Sequence, residues 1–125
     1  IILNSQGGDI DSAIAIGQWV AANNVPVLVD GVCFSTCVII AVSGPTLYAS
    51  KNATFFFDQG GNNAYTALLS KLKVDSDGHS KMESELKNHD VPGQVLNWVR
   101  KRPISQKRDI TALELKQLGV IDLII

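Results

Sequence analysis

The chain has no strong charge of either sign. Eleven Lys and Arg stand against twelve Asp and Glu, a net charge of −1 over 125 residues. Nothing therefore draws the chain as a whole to nucleic acid or to an anionic membrane. It lacks any apolar run long enough to cross a bilayer. Val38 to Val42 is apolar throughout, but Ser43-Gly44 ends it far too early. No signal peptide, transit peptide or initiator Met opens the chain. Ile1-Ile2-Leu3 instead begins inside an apolar strand, as expected of a processed or truncated product with its first strands upstream. There is no GxGxxG and no Walker Lys, so a nucleotide site is poorly supported. Cysteine is scarce. Cys33 and Cys37 have no His near them in sequence, and two thiols alone cannot hold zinc. Neither a metal nor a cofactor is called for, and no internal repeat is evident. At 46% hydrophobic and 18% charged, what is there reads as one globular domain over residues 1–125 with a real core.

Ile1 to Asn4 reads as a buried strand, and Ser5-Gln6-Gly7-Gly8-Asp9 as a turn. Asp9 or Asp11 starts a helix that places Ile10, Ile14, Gly17 and Ala21 on one face, with Ala13 and Val20 alongside. Asn23-Asn24 ends it and Pro26 prevents it from resuming. Val27 to Asp30 is the next strand. Strand, turn, helix, strand makes a βαβ unit with a right-handed crossover and a parallel sheet.

Gly31 then breaks the strand and opens the stretch GVCFSTCVIIAVSG. Ser35 or Thr36 can cap a helix from Cys37 to Val42, and that helix has no polar face, so it should be buried. Ser35 sits at a strand-to-helix turn beside outward N–H groups, a place that suits a nucleophile next to an oxyanion site. Capping alone is the plainer reading. The Gly7-Gly8 turn also follows a strand C-terminus, so Gly7, Gly8 and Ser35 should face one crevice. Cys33 and Cys37 are either two buried thiols or a short disulfide across the turn, and spacing does not decide between them.

Beyond Gly44 the pattern gives short strands around Leu47-Tyr48 and Ala53–Phe57, followed by Asp58. A flexible hinge or lid at Gly60–Asn63 and a helix over Ala64–Lys73 follow. A charged helix, His79–Asn88, carries Met82 and Leu86 inward. Pro92 opens another, with Val95, Leu96 and Val99 on one face. Arg100 to Arg108 holds five basic residues in nine, which reads as a solvated face. Thr111 to Glu114 is a capping-box pattern starting a helix that Gly119 stops, and Val120 to Ile125 is a closing strand.

Four stretches in chain order carry a resemblance. Leu3-Asn4-Ser5-Gln6-Gly7-Gly8-Asp9 resembles the "N-S-P-G-G" turn of the Clp protease proteolytic subunit and its crotonase-like relatives. Gly31 to Thr36 falls where those peptidases carry their nucleophilic serine. Tyr48 to Ala53 resembles their "Y-A-x-P-N-A/S" stretch, and Thr111 to Asp122 their closing "T/S-x-x-E-A-x-x-x-G-L-V-D". Cys33-x-Ser35-x-Cys37 looks more like a bacterial periplasmic branch than like the cytosolic protease. The resemblance implies an α/β, crotonase-like (Clp protease-like) spiral of ββα units with a mainly parallel sheet. It implies Ser35 as nucleophile and an oxyanion hole from Gly7, Gly8 and Thr36. It also implies a peptide or protein substrate, a homo-oligomer, and a periplasmic or otherwise exported location, with the cytoplasm as the alternative.

Two departures weaken the implied activity. The family's catalytic His position holds Asp58, a far weaker base at neutral pH. The family's acidic member aligns near Pro103, where no acid stands. Lys71, Lys73, Lys81 or His79 could act instead, as in related Ser–Lys peptidases. The expectation is a serine peptidase-like hydrolase with weak or lost activity; the alternative is a non-catalytic peptide-binding or assembly protein. A crotonase-type acyl-CoA enzyme is the poorest reading, because no paired carboxylates stand out.

Overall fold

The computed structural model describes residues 1–57, 77–101 and 109–125. The hinge and helix expected over 60–73, and most of the basic run at 100–108, lie outside the described residues. The elements run β1 (Ile2–Ser5), α1 (Ile10–Ala22), β2 (Val27–Phe34), α2 (Cys37–Ser43), β3 (Leu47–Ala49) and β4 (Thr54–Phe56). Then come α3 (Asp77–Asn88), α4 (Gly93–Lys101), β5 (Ile110–Thr111), α5 (Ala112–Gln117) and β6 (Leu123–Ile124).

Helix α1 starts where its sequence says it should. Asp9 is the N-cap, and its carboxylate accepts from the Ser12 N–H at 2.9 Å and the Ser12 hydroxyl at 2.7 Å. Asn23 caps the other end, and Asn24 takes a left-handed φ of 52° just before Val25-Pro26. Ala13, Gly17 and Val20 are the buried positions. Ala21, expected on that face, is exposed. The inward stripe follows positions 13, 17 and 20, and Ala21 falls one residue past it.

Among the described residues the strands form one mixed sheet in the order β5-β4-β2-β3-β6, with β1 also paired to β2. All pairs are parallel except β4–β5. Strand β2 is the centre of this arrangement. Its first half, Val27 to Val29, pairs with β3. Its second half, Val32 to Phe34, pairs with β4. One strand thus serves two neighbours on the same side, which curls the sheet.

The change of partner happens at Gly31, and here the sequence reading is corrected. Gly31 does not end the strand; β2 continues through it to Phe34. Gly31 has a φ of 116°, and a Cβ there would meet the Asn4 Oδ1 at 2.5 Å. That same Asn4 oxygen accepts from the Val32 N–H at 3.0 Å. The side chain replaces the ladder bond that the irregular register between Leu3 and Ser5 removes. A bulge bridged by a side chain from β1 keeps the strand going where a lone glycine would stop it.

Val27, Val29 and Cys33 are fully buried along one face of β2. Helix α2 packs on β2 and on α1, and α3 packs on both helices. The crossing of α1 and α2 is tight: a Cβ on Gly17 would come within 2.5 Å of the Ser43 hydroxyl. Met82 and Leu86 of α3, and Val95 and Leu96 of α4, are buried as their periodicity predicts. Each such side chain contributes about 1.5–3 kcal/mol on burial. The Thr111–Glu114 capping box forms in both directions and opens α5. Strand β5, absent from the sequence reading, is two residues long and owes its existence to antiparallel pairing with β4.

Candidate active site

Strand β1 ends at Ser5 and β2 at Phe34, on the same carboxyl edge of the parallel strands, where open α/β sheets place their ligands. The turns that follow meet there. A Cβ on Gly7, whose φ is 100°, would lie 2.8 Å from the Phe34 carbonyl oxygen, 3.0 Å from the Ser35 Cβ and 3.3 Å from the Thr36 nitrogen. Only a glycine lets the two turns approach this closely. Gly7, Gly8, Ser35 and Thr36 are therefore brought together, across 28 residues of chain.

Ser35 holds a left-handed φ of 56°, a conformation that non-glycine residues adopt at a cost. Three contacts fix it. Its N–H donates to the Phe56 carbonyl at 2.8 Å, its carbonyl accepts from the Val38 N–H at 3.1 Å, and a disulfide joins Cys33 to Cys37 across it, Cα to Cα 5.3 Å. Strand, strained residue, helix is the geometry of a nucleophile elbow. Of the two cap candidates Ser35 does not fit. Thr36 is the N-cap of α2, has α-helical angles and makes no side-chain cap bond. Among the described residues neither the Ser35 hydroxyl nor the Thr36 N–H has a hydrogen-bond partner. Ser35 is 9% exposed.

The Gly-Gly turn is internally satisfied. The Gly7 N–H donates to the Ser5 hydroxyl at 3.1 Å. The Gly8 N–H donates to the Thr36 hydroxyl at 2.9 Å, which in turn donates to the Gly8 carbonyl at 3.2 Å. A cavity of ≈ 180 Å³ opens beside these groups, walled by Ser5, Gly7, Gly8, Asp9 and Ser12 on one side and Ala13, Ile16, Cys37 and Ile40 on the other, with Thr36 at the junction. Of the two turn residues it is Thr36, and not Ser35, that lines it.

The general base expected from the resemblance, Asp58, lies outside the described residues, as do Lys71, Lys73 and the side chain of His79. The described chain leads up to Asp58 past Ser35, since Phe56 binds the Ser35 N–H and Phe57 is buried. Lys81 is placed: its ammonium is 2.8 Å from Asp11 Oδ1 on the first turn of α1. This exposed ion pair engages the ammonium on α1. Asp9 is an acceptor too, but the Ser12 hydroxyl and N–H hold its carboxyl below the ordinary 3.8.

A second Ser–His contact escaped the sequence reading, because its members are 46 residues apart. Ser43 Oγ lies 3.2 Å from His89 Nε2. The Ser43 proton, however, goes to the Ile39 carbonyl at 2.6 Å. His89 must therefore donate to Ser43 and cannot activate it. The pair ties the end of α3 to α2 beside a cavity at the opposite, amino edge of the strands, lined by Leu47, His89 and Asp122.

The sequence profile of the Clp protease family matches residues 1–125. No curated protein matches significantly. Among solved structures, the ClpP protease catalytic domain from Plasmodium falciparum aligns with TM-score 0.68 and 23% identity, over 99% of this chain and 65% of that one. A ClpP1 mutant from Listeria monocytogenes aligns with TM-score 0.65 and 18% identity, over 99% of this chain and 71% of that one. This chain thus spans about two thirds of the length of the solved structures it resembles.

Proposed function

The chain belongs to the Clp protease family, and from that premise we propose that it is a serine peptidase-like protein whose nucleophile is Ser35 and whose hydrolytic activity is weak or lost. The observation that carries the assignment is the strained Ser35 turn packed against Gly7 at the carboxyl edge of the sheet. In the proposed chemistry the Ser35 hydroxyl attacks a peptide or ester carbonyl and gives its proton to a base. The carbonyl oxygen becomes an oxyanion, and the Thr36 and Gly8 N–H groups would donate to it.

The base position argues for a low rate. The residue at the base position, Asp58, is a weak base, with an ordinary carboxyl value near ~3.9. Loss of a triad member costs on the order of 10⁴-fold. A non-catalytic peptide-binding or assembly role in a homo-oligomer is the second reading, favoured by the internal saturation of both glycine N–H groups. An exported, periplasmic location fits the Cys33–Cys37 disulfide.

The test is reaction with a fluorophosphonate probe, with generic ester and peptide substrates assayed in parallel. Slow labelling at Ser35, lost in Ser35→Ala, is expected. Complete absence of labelling over days would favour the non-catalytic reading. Rapid stoichiometric labelling would show that an efficient base is present.

A further inference from the structure

An oxyanion at Ser35 needs N–H donors that are aimed at it and not otherwise engaged. The two candidates differ. The Thr36 N–H has no partner among the described residues. The Gly8 N–H is already bound at 2.9 Å to the hydroxyl of Thr36, which also donates to the Gly8 carbonyl at 3.2 Å. Thr36 is 2% exposed while Gly8 is exposed, so this reciprocal contact sits at the rim of the cavity. The residue that offers one donor with its backbone thus covers the other with its side chain.

We propose that the Thr36 hydroxyl is a latch on the Gly8 N–H: it occupies the acceptor place that a tetrahedral adduct of Ser35 would take, and it must rotate away before the adduct is fully held. The proposal rests on the reading of Ser35 as nucleophile. The cavity gives the hydroxyl somewhere to go, since Thr36 lines it together with Ser5 and Ser12. Rotating the hydroxyl into the cavity would give up both of its bonds to Gly8 and free the amide. Thr36 is in this sense a positioning residue, acting through Gly8.

A peptide boronic acid is the probe. Its boron accepts the Ser35 oxygen as the serine proton passes to solvent water, and a boron-bound oxygen of the resulting tetrahedral boronate takes the oxyanion place. Binding is measured on the whole protein by titration, with the Gly8 amide followed by ¹⁵N–¹H NMR. Thr36→Val removes the hydroxyl and keeps the shape. It should tighten Ser35-dependent boronate binding roughly fivefold, the worth of one neutral hydrogen bond no longer displaced. Thr36→Ser should bind like wild type. In wild type the Gly8 resonance should move on binding. If the boronate binds through Ser35 but Thr36→Val binds no more tightly, or Gly8 does not move, the latch alone is wrong. If Ser35→Ala binds the boronate as well as wild type, the nucleophile reading falls and the latch with it. Should Thr36→Val fail to fold, the wild-type Gly8 resonance decides: an amide unmoved by the Ser35 adduct overturns the proposal.

Discussion

Replacing Ser35 separates a strained functional residue from a helix cap by stability alone. At φ 56° the residue sits in the left-handed region, which costs an L-residue roughly 1–2 kcal/mol relative to glycine. Ser35→Gly removes that strain. It also frees the unfolded chain, which offsets about 0.4–1 kcal/mol of the gain. The net expectation is a protein about 0.5 kcal/mol more stable than wild type. Ser35→Ala keeps the strain and deletes a hydroxyl without a described partner, so its change should stay within about 0.5 kcal/mol. A serine that capped α2 would behave differently, losing about 1 kcal/mol on going to Ala. Urea unfolding under oxidising conditions measures both variants, with a constant m-value confirming comparable transitions. A loss of 1 kcal/mol or more in Ser35→Ala, or a Gly variant less stable than the Ala variant, would refute the strain argument.

The Cys33–Cys37 bond closes a loop of about five residues, so the Cys33→Ala/Cys37→Ala pair should lose about 2 kcal/mol in the same assay. An unchanged midpoint would mean that the turn is held without the bond. Gly7→Ala meets a left-handed φ and a backbone oxygen at 2.8 Å, and should lose about 2 kcal/mol or more together with Ser35 labelling. A variant as stable as wild type would show the turns to be further apart than described. Asp9 titrates below its ordinary 3.8 because Ser12 donates to it. A carboxyl depressed by folding stabilises above its unfolded value, and that contribution is lost as pH falls below 3.8. The urea midpoint should therefore decline less steeply with acid in Asp9→Asn than in wild type, and parallel declines would remove Asp9 from the account.

The local signals were legible. Asp9 capping α1, the Thr111–Glu114 box, and the buried Met82 and Leu86 each depend on residues within one or two turns of helix. What escaped depends on partners far along the chain. Gly31 reads as a stop because nothing nearby shows that the Asn4 side chain will bond Val32 from another strand. Strand β5 is too short to show a period and exists by pairing with β4. The pattern of two turns after two strands pointed to Gly7, Gly8, Ser35 and Thr36 as neighbours, and the packed turns do meet. It could not show that the Thr36 hydroxyl covers the Gly8 amide, a contact that only the packed turns create.

The irregularity in β2 also limits how this chain can change in length. Between Leu3 and Ser5, β1 advances two residues, while their partners Val29 and Cys33 are four apart. The surplus is even, so the alternation of strand side chains passes through it unbroken, and Cys33 points to the same side as Val27 and Val29. An odd surplus would reverse that. Deleting Asp30 alone would turn Cys33 away from Cys37 and swing the following elbow to the other side of the sheet. Over evolutionary time, insertions and deletions at this point should survive only in pairs. In a library of length variants, two-residue changes at Asp30-Gly31 should be recovered folded where single-residue changes are not.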